Sequence, residues 1–81
     1  MQDKTLKDAY REIVDNQLES ADPPETRATL ERLVAAGHER GEAMQLIAAA
    51  VRIEMQAMLE AGRPFDNARF VKLLARLPRV D

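Results

Sequence analysis

Residues 42–61 read EAMQLIAAAVRIEMQAMLEA, and this stretch decides the fold. It contains no Pro and no Gly, and it is rich in Ala, Leu, Met, Gln and Glu, which enter a helix at little cost. On a helix, one narrow polar stripe holds Gln45, Arg52, Gln56 and Glu60, and nearly all the remaining circumference is apolar. Because so apolar a helix is normally covered on several sides, we expect it to be the centre of the fold.

One carboxylate interrupts the apolar part of this helix. Glu54 projects almost opposite the polar stripe, and burying it ionised and unpaired would cost several kcal/mol. Arginine is the favoured partner because its planar guanidinium binds a carboxylate through two hydrogen bonds. Arg27 and Arg32 of the neighbouring second helix are the candidates, with the Tyr10 hydroxyl as a further donor. We interpret Glu54 as a structural polar contact; a contact between two copies and a ligand or metal site are the alternatives.

Local start and stop signals predict the helices around this centre. An apolar stripe predicts a first helix over residues 4–19. Asp22 as N-cap and Pro23 at the first helical position predict a second helix over 23–36, which Gly37 ends in a left-handed conformation. Its inward residues are Thr26, Leu30, Leu33 and Val34. The central helix then spans 41–61 and ends at Gly62.

A capping residue and an aromatic pair predict the last helix, over residues 67–77. Asp66 is the expected N-cap, and Phe65 before it can pack on Phe70 as a hydrophobic staple. Pro78 stops the helix. The sequence therefore predicts an all-α fold: a single compact four-helix domain over residues 1–81, with a central apolar third helix.

Composition narrows the functional classes. The chain has 81 residues, no cysteine and a net charge of −2, which removes disulfides and thiolate catalysis. The charged N-terminus shows no signal peptide, and no apolar run approaches the ~20 residues of a membrane span. We therefore expect a cytoplasmic protein that does not enter membranes.

Catalytic and cofactor motifs are missing from the sequence. His38 is the only histidine, and the segment that it opens, HERGE, lacks the second histidine of a zinc-protease HExxH motif. Ser20 is the only serine, and no glycine-rich phosphate-binding loop is present. We predict that the chain is not an enzyme and binds no cofactor or metal.

The C-terminal segment carries opposite charge to the rest. Residues 1–61 have seven basic and twelve acidic side chains, whereas residues 62–81 have five basic and two acidic ones. Four of the basic residues follow one another at spacings of three, four and three: Arg69, Lys72, Arg76 and Arg79. Such a stripe suits phosphates or an acidic protein surface, so weak nucleic-acid binding is the alternative function.

Several short segments together resemble a group of small uncharacterised bacterial all-helical proteins. The segments are Pro23-Pro24-Glu25-Thr26-Arg27, Arg32-Leu33, Gly37, Ile47-Ala48 with Glu54, Gly62-Arg63-Pro64-Phe65-Asp66 and Leu77-Pro78. These proteins have no established activity. The resemblance therefore implies the helical fold and a bacterial source, and it implies no catalytic residue.

The limited size of the chain favours self-association. A chain of this length buries only about 60–65% of its unfolded surface and is marginally stable alone. Three short helices are not expected to cover the third helix completely, so we expect a homodimer through residual surface on helices one and three. Met44, Met55 and Met58 are interpreted as core or as part of this contact. The predicted function is non-enzymatic protein–protein contact.

Overall fold

Four α-helices make up the described part of the chain. The computed structural model describes residues 6–80, and side chains from residue 8 onward. The helices are α1 (Leu6–Ser20), α2 (Pro24–Ala35), α3 (Arg40–Ala61) and α4 (Asn67–Arg76). Helix α3 contacts each of the other three, and α2 also packs against α1 and α4. The all-α fold with a central third helix is thereby confirmed. The predicted start of α1 at residue 4 lies outside the described residues.

Helix α2 begins one residue later than predicted. Its N-cap is Pro23, whose carbonyl accepts a hydrogen bond from the Thr26 N–H at 3.1 Å. Pro24 takes the first helical position, where a missing N–H costs nothing. Asp22 therefore precedes the N-cap position and does not cap α2. Its backbone N–H donates to the Gln17 carbonyl at the end of α1 at 3.1 Å.

The glycine after α2 ends that helix as its sequence indicates. Gly37 has a φ of 107°, and its N–H donates to the Val34 carbonyl at 3.1 Å. The His38 N–H donates to the Leu33 carbonyl, also at 3.1 Å. These two bonds form the Schellman pattern, which satisfies carbonyls that the end of a helix leaves unpaired.

Helix α4 starts with the predicted cap and staple. The Asp66 side chain accepts a hydrogen bond from the Arg69 N–H at 3.2 Å. The rings of Phe65 and Phe70 lie 5.4 Å apart at an angle of 59°, a favourable tilted arrangement. Phe70 is fully buried, so the pair fixes α4 on the core.

The core is aliphatic apart from Phe70. Its buried apolar residues are Val14, Leu18, Leu30, Leu33, Ala43, Met44, Ile47, Ala48, Ala50, Val51, Phe70, Leu74 and Leu77. Thr26 is buried with them, and its hydroxyl bonds to Gln17 Oε1 at 2.9 Å. The prediction that Val34 points inward is wrong, because this side chain is 45% exposed. Leu33 beside it takes the buried position, and adjacent positions on a helix diverge by about 100°.

The two helix-associated glycines near the ends of α3 provide a matched test of backbone conformation. Gly62 ends α3 with a φ of 64°, and a Cβ added there would meet no atom within 4 Å. Gly62→Ala should therefore lower the free energy of unfolding by about 1 kcal/mol, because the left-handed conformation disfavours a Cβ. Gly41→Ala, in the first turn of α3 with equal space, should raise it by about 0.5 kcal/mol. Urea unfolding measures both, and shifts of the same sign would contradict this explanation.

Candidate functional site

Glu54 is the single buried charged residue among residues 8–80, with 0% of its surface exposed. It lies on α3 and faces the connection between α3 and α4. The Arg63 guanidinium donates to both carboxylate oxygens, from Nη1 to Oε2 at 2.7 Å and from Nη2 to Oε1 at 3.3 Å. The Asp66 backbone N–H donates to Oε2 at 2.9 Å, and Arg69 Nε lies 3.4 Å from Oε1. The carboxylate thus joins α3, the connection and α4.

These contacts keep Glu54 ionised. The hydrogen bond from Arg63 is the largest influence and lowers the pKa of Glu54 below its ordinary value of 4.5. Burial acts in the opposite direction, while the Asp66 N–H and the charges of Arg63 and Arg69 lower the pKa further. The same hydrogen bond raises the pKa of Arg63. The folded state therefore favours the ionised form of Glu54, and its carboxylate carries no proton near neutral pH.

The two arginines predicted as partners of Glu54 bond elsewhere. Arg27 Nη2 donates to the Leu18 carbonyl at 2.9 Å, which ties α2 to α1. Arg32 donates to two carbonyls at the end of α4, Leu74 and Leu77, each at 3.0 Å. All three residues make structural polar contacts, but the predicted pairing is wrong. Helical periodicity places Glu54 on the apolar side of α3 without indicating which neighbour covers it, and that neighbour is the α3–α4 connection.

The basic C-terminal residues do not form one helical row. Arg79 follows Pro78 and lies beyond the end of α4. Arg69 is 59% exposed, but its Nε is committed to Glu54. Only Lys72 and Arg76 therefore share α4 without contacting the buried carboxylate, which shortens the predicted stripe.

An apolar surface remains near the end of α3. Leu59 is 74% exposed, and Met55 and Met58 are partly buried. These three positions are spaced so that they share one face of the helix, and we call them the α3 apolar patch. Helix α3 has 22 residues, whereas its neighbours have 15, 12 and 10. The longest helix therefore extends an apolar face that its shorter neighbours do not fully cover.

A groove of about 760 Å³ runs between α1 and α3. Its walls are Asp8, Tyr10 and Arg11 of α1 and Gln45, Ala48, Ala49, Arg52 and Gln56 of α3. The alanines make the α3 wall shallow. The predicted polar stripe of α3 thus faces this groove, and much of it remains accessible.

The described side chains include no candidate metal-binding group. Among residues 8–80, no three His, Cys, Asp or Glu side chains are grouped closely enough to hold a metal ion. His38 contacts Glu42 one turn further along α3. Within residues 6–80, none of the helices has the length and apolar character needed to span a membrane.

No protein-family model, curated protein or solved structure matches this chain. The resemblance to small bacterial helical proteins therefore stays a prediction. Two features of α3 are accessible to a partner: its apolar patch and the groove beside it.

Replacing Glu54 by Gln should lower the free energy of unfolding by about 2–3 kcal/mol, because the guanidinium of Arg63 then loses its charged acceptor. Glu31→Gln, at an exposed acid on α2, is the matched control and should change stability by less than about 0.5 kcal/mol. Chemical denaturation measures both variants. Equal stabilities for the two would show that the buried ion pair does not hold α4.

The lowered pKa of Glu54 also predicts a pH dependence. Its ionised form is favoured by folding, so the stabilisation is complete above the unfolded value near 4.5. It is lost as pH falls from there through the lower pKa of the folded state. Wild type and Glu54→Gln should therefore converge in unfolding free energy below pH 4.5. A constant difference between pH 7 and pH 3 would contradict this linkage.

Proposed function

We propose that this chain is a non-enzymatic protein that acts through protein–protein contact, and that its first partner is a second copy of itself. The exposed Leu59, with Met55 and Met58 beside it, is the observation that carries the proposal. An exposed apolar patch on a small protein commonly marks a contact surface. A homodimer uses the same patch twice, because its two-fold axis brings identical surfaces together.

Two expectations from the sequence are included in this proposal. Ser20 is the only serine and no cysteine is present, so we propose a non-enzymatic role. The whole sequence lacks cysteine, which is compatible with a reducing cytoplasm. We therefore include a cytoplasmic location in the proposal.

Nucleic-acid binding receives less support. Phosphate binding depends on several cations that reach the same backbone. Arg69 already neutralises part of the Glu54 charge, and Arg79 lies outside α4. The remaining positive charge stands on a chain with a net charge of −2, so we expect no binding of duplex DNA at moderate salt.

Sedimentation equilibrium tests the proposal directly. The wild-type chain should associate reversibly between micromolar and millimolar concentration, and Leu59→Ser should weaken this association about tenfold by removing a buried leucine contact. Val34→Ser is the matched control, because Val34 is an exposed apolar residue on α2. It should leave association unchanged.

Two results would contradict the proposal. A wild-type chain that stays monomeric up to millimolar concentration would remove self-association. Equal effects of Leu59→Ser and Val34→Ser would show that the α3 apolar patch has no special part in it.

A further inference from the structure

We infer that two copies pack along their α3 helices in antiparallel orientation, with Arg52 of each copy paired to Glu60 of the other. This inference rests on the proposed self-association and specifies its geometry: of the α3 apolar patch, Leu59 lies in the contact, whereas Met55 and Met58 lie outside it. It follows from the spacing of the accessible residues on α3, from the small side chains in the groove and from two charges that find no partner within the described chain.

The accessible face of α3 has the spacing of a helix–helix seam. Gln45, Ala49, Arg52, Gln56 and Leu59 follow one another at intervals of four, three, four and three residues. Two helices that pack side by side contact each other through this repeat. Four of these side chains are exposed and Ala49 is half-buried, so the seam is open to a second helix.

The groove sets the register of the two helices. Leu59 is the exposed apolar side chain of the seam, and Ala49 is its smallest position, with the buried Ala48 beside it on the groove wall. An antiparallel pair with its two-fold axis at the level of residue 54 places Leu59 opposite Ala49 of the second copy. Large side chains pack well against small ones at close helix contacts. The same operation places Arg52 opposite Gln56.

The charges favour the antiparallel orientation. Arg52 and Glu60 are eight residues apart, about 12 Å along the helix axis, which is too far for a pair within one helix. Among the described residues, neither makes a hydrogen bond or an ion pair. In the proposed register Glu60 faces Ala48 of the second copy, one turn from Arg52. Helical side chains lean toward the N-terminus, so the two charged groups converge.

A parallel pair has the opposite electrostatic consequence. It would bring Arg52 against Arg52 and Glu60 against Glu60, and like charges at a contact disfavour binding. Arg11 stands on the other wall of the groove, but it lies 4.0 Å from Asp15 and shares that wall with Asp8. The cation that favours the antiparallel arrangement is therefore Arg52.

The size of this contact predicts a weak dimer. Stable protein complexes bury about 1,200–2,000 Å² in total, and one helix seam of about four turns falls at or below that range. The association is therefore best measured between micromolar and millimolar protein. Because the charge pairs are partly solvated, added salt should weaken it.

Charge reversal tests the pairing. Arg52→Glu and Glu60→Arg should each weaken dimerisation about tenfold, because the two-fold axis places two like-charge contacts in each variant dimer. The double variant Arg52→Glu/Glu60→Arg exchanges the signs and should restore the wild-type dissociation constant within about threefold. Lys72→Glu, an exposed reversal on α4, is the control and should have no effect. Circular dichroism checks that each variant keeps its helical fold.

The outcomes separate the pairing from the proposed function. A wild-type dimer that tolerates both single reversals, or a double variant that stays dissociated, would overturn the antiparallel register and leave self-association standing. A monomeric wild type would overturn both. The pairing is supported if each single reversal weakens dimerisation and the double variant restores the dissociation constant.

Cross-linking tests the orientation independently. Because the chain has no cysteine, only the introduced thiols can form a disulfide. In Ala49→Cys/Leu59→Cys, positions 49 and 59 are about 15 Å apart on one helix and cannot form a disulfide within it. Between antiparallel copies they face each other, so oxidation should give a covalent dimer. Leu59→Cys alone is the control: in the proposed register the two copies of position 59 lie about 15 Å apart along the helices, so a cross-link there indicates a parallel pair or a different antiparallel register. A covalent dimer from this control and none from the double variant would overturn the inference.

Discussion

The arrangement of the C-terminal half depends on the ion pair between Glu54 and Arg63. The Glu54 carboxylate has no solvent exposure, and it is tolerated because its polar atoms are hydrogen-bonded. The Arg63 guanidinium donates to both oxygens, and the Asp66 backbone N–H also donates to Oε2. Such a pair is stable only while all its members stay in place. The path of the chain from Gly62 to Asp66 is therefore fixed by charge as well as by the packing of Phe65 on Phe70.

The parts of this fold that sequence predicts are those that nearby residues decide. Gly37 and Asp66 end or begin helices through bonds to residues three to five positions away. The side chains that sequence fails to place are decided by neighbours far along the chain. Arg32 bonds to carbonyls more than forty residues away, and no local pattern indicates that distance.

The partner of Glu54 is a second contact that the sequence does not identify. Arg63 is only nine residues away, but the contact requires the chain to reverse after Gly62, and two helical faces have to meet before it forms. Periodicity marked the carboxylate as unusual and gave the reason for a partner. The identity of the partner depended on which helix covers that side of α3, a property of the tertiary fold. The sequence does predict that part of the surface of α3 stays uncovered, because three shorter helices cannot cover all sides of so long an apolar helix.

Helix α4 has ten residues, fewer than the ~12–15 at which a free helix becomes even marginally stable in water. Its first turn lies beside two carboxylates, Asp66 and Glu54, and its last carbonyls receive the cation of Arg32. Negative charge at the start and positive charge at the end both complement the helix dipole. The segment is thus helical because Phe70 and Leu74 pack into the core and two other helices supply charges at its ends. We therefore expect its amides to exchange with solvent together, when the helix detaches from α2 and α3.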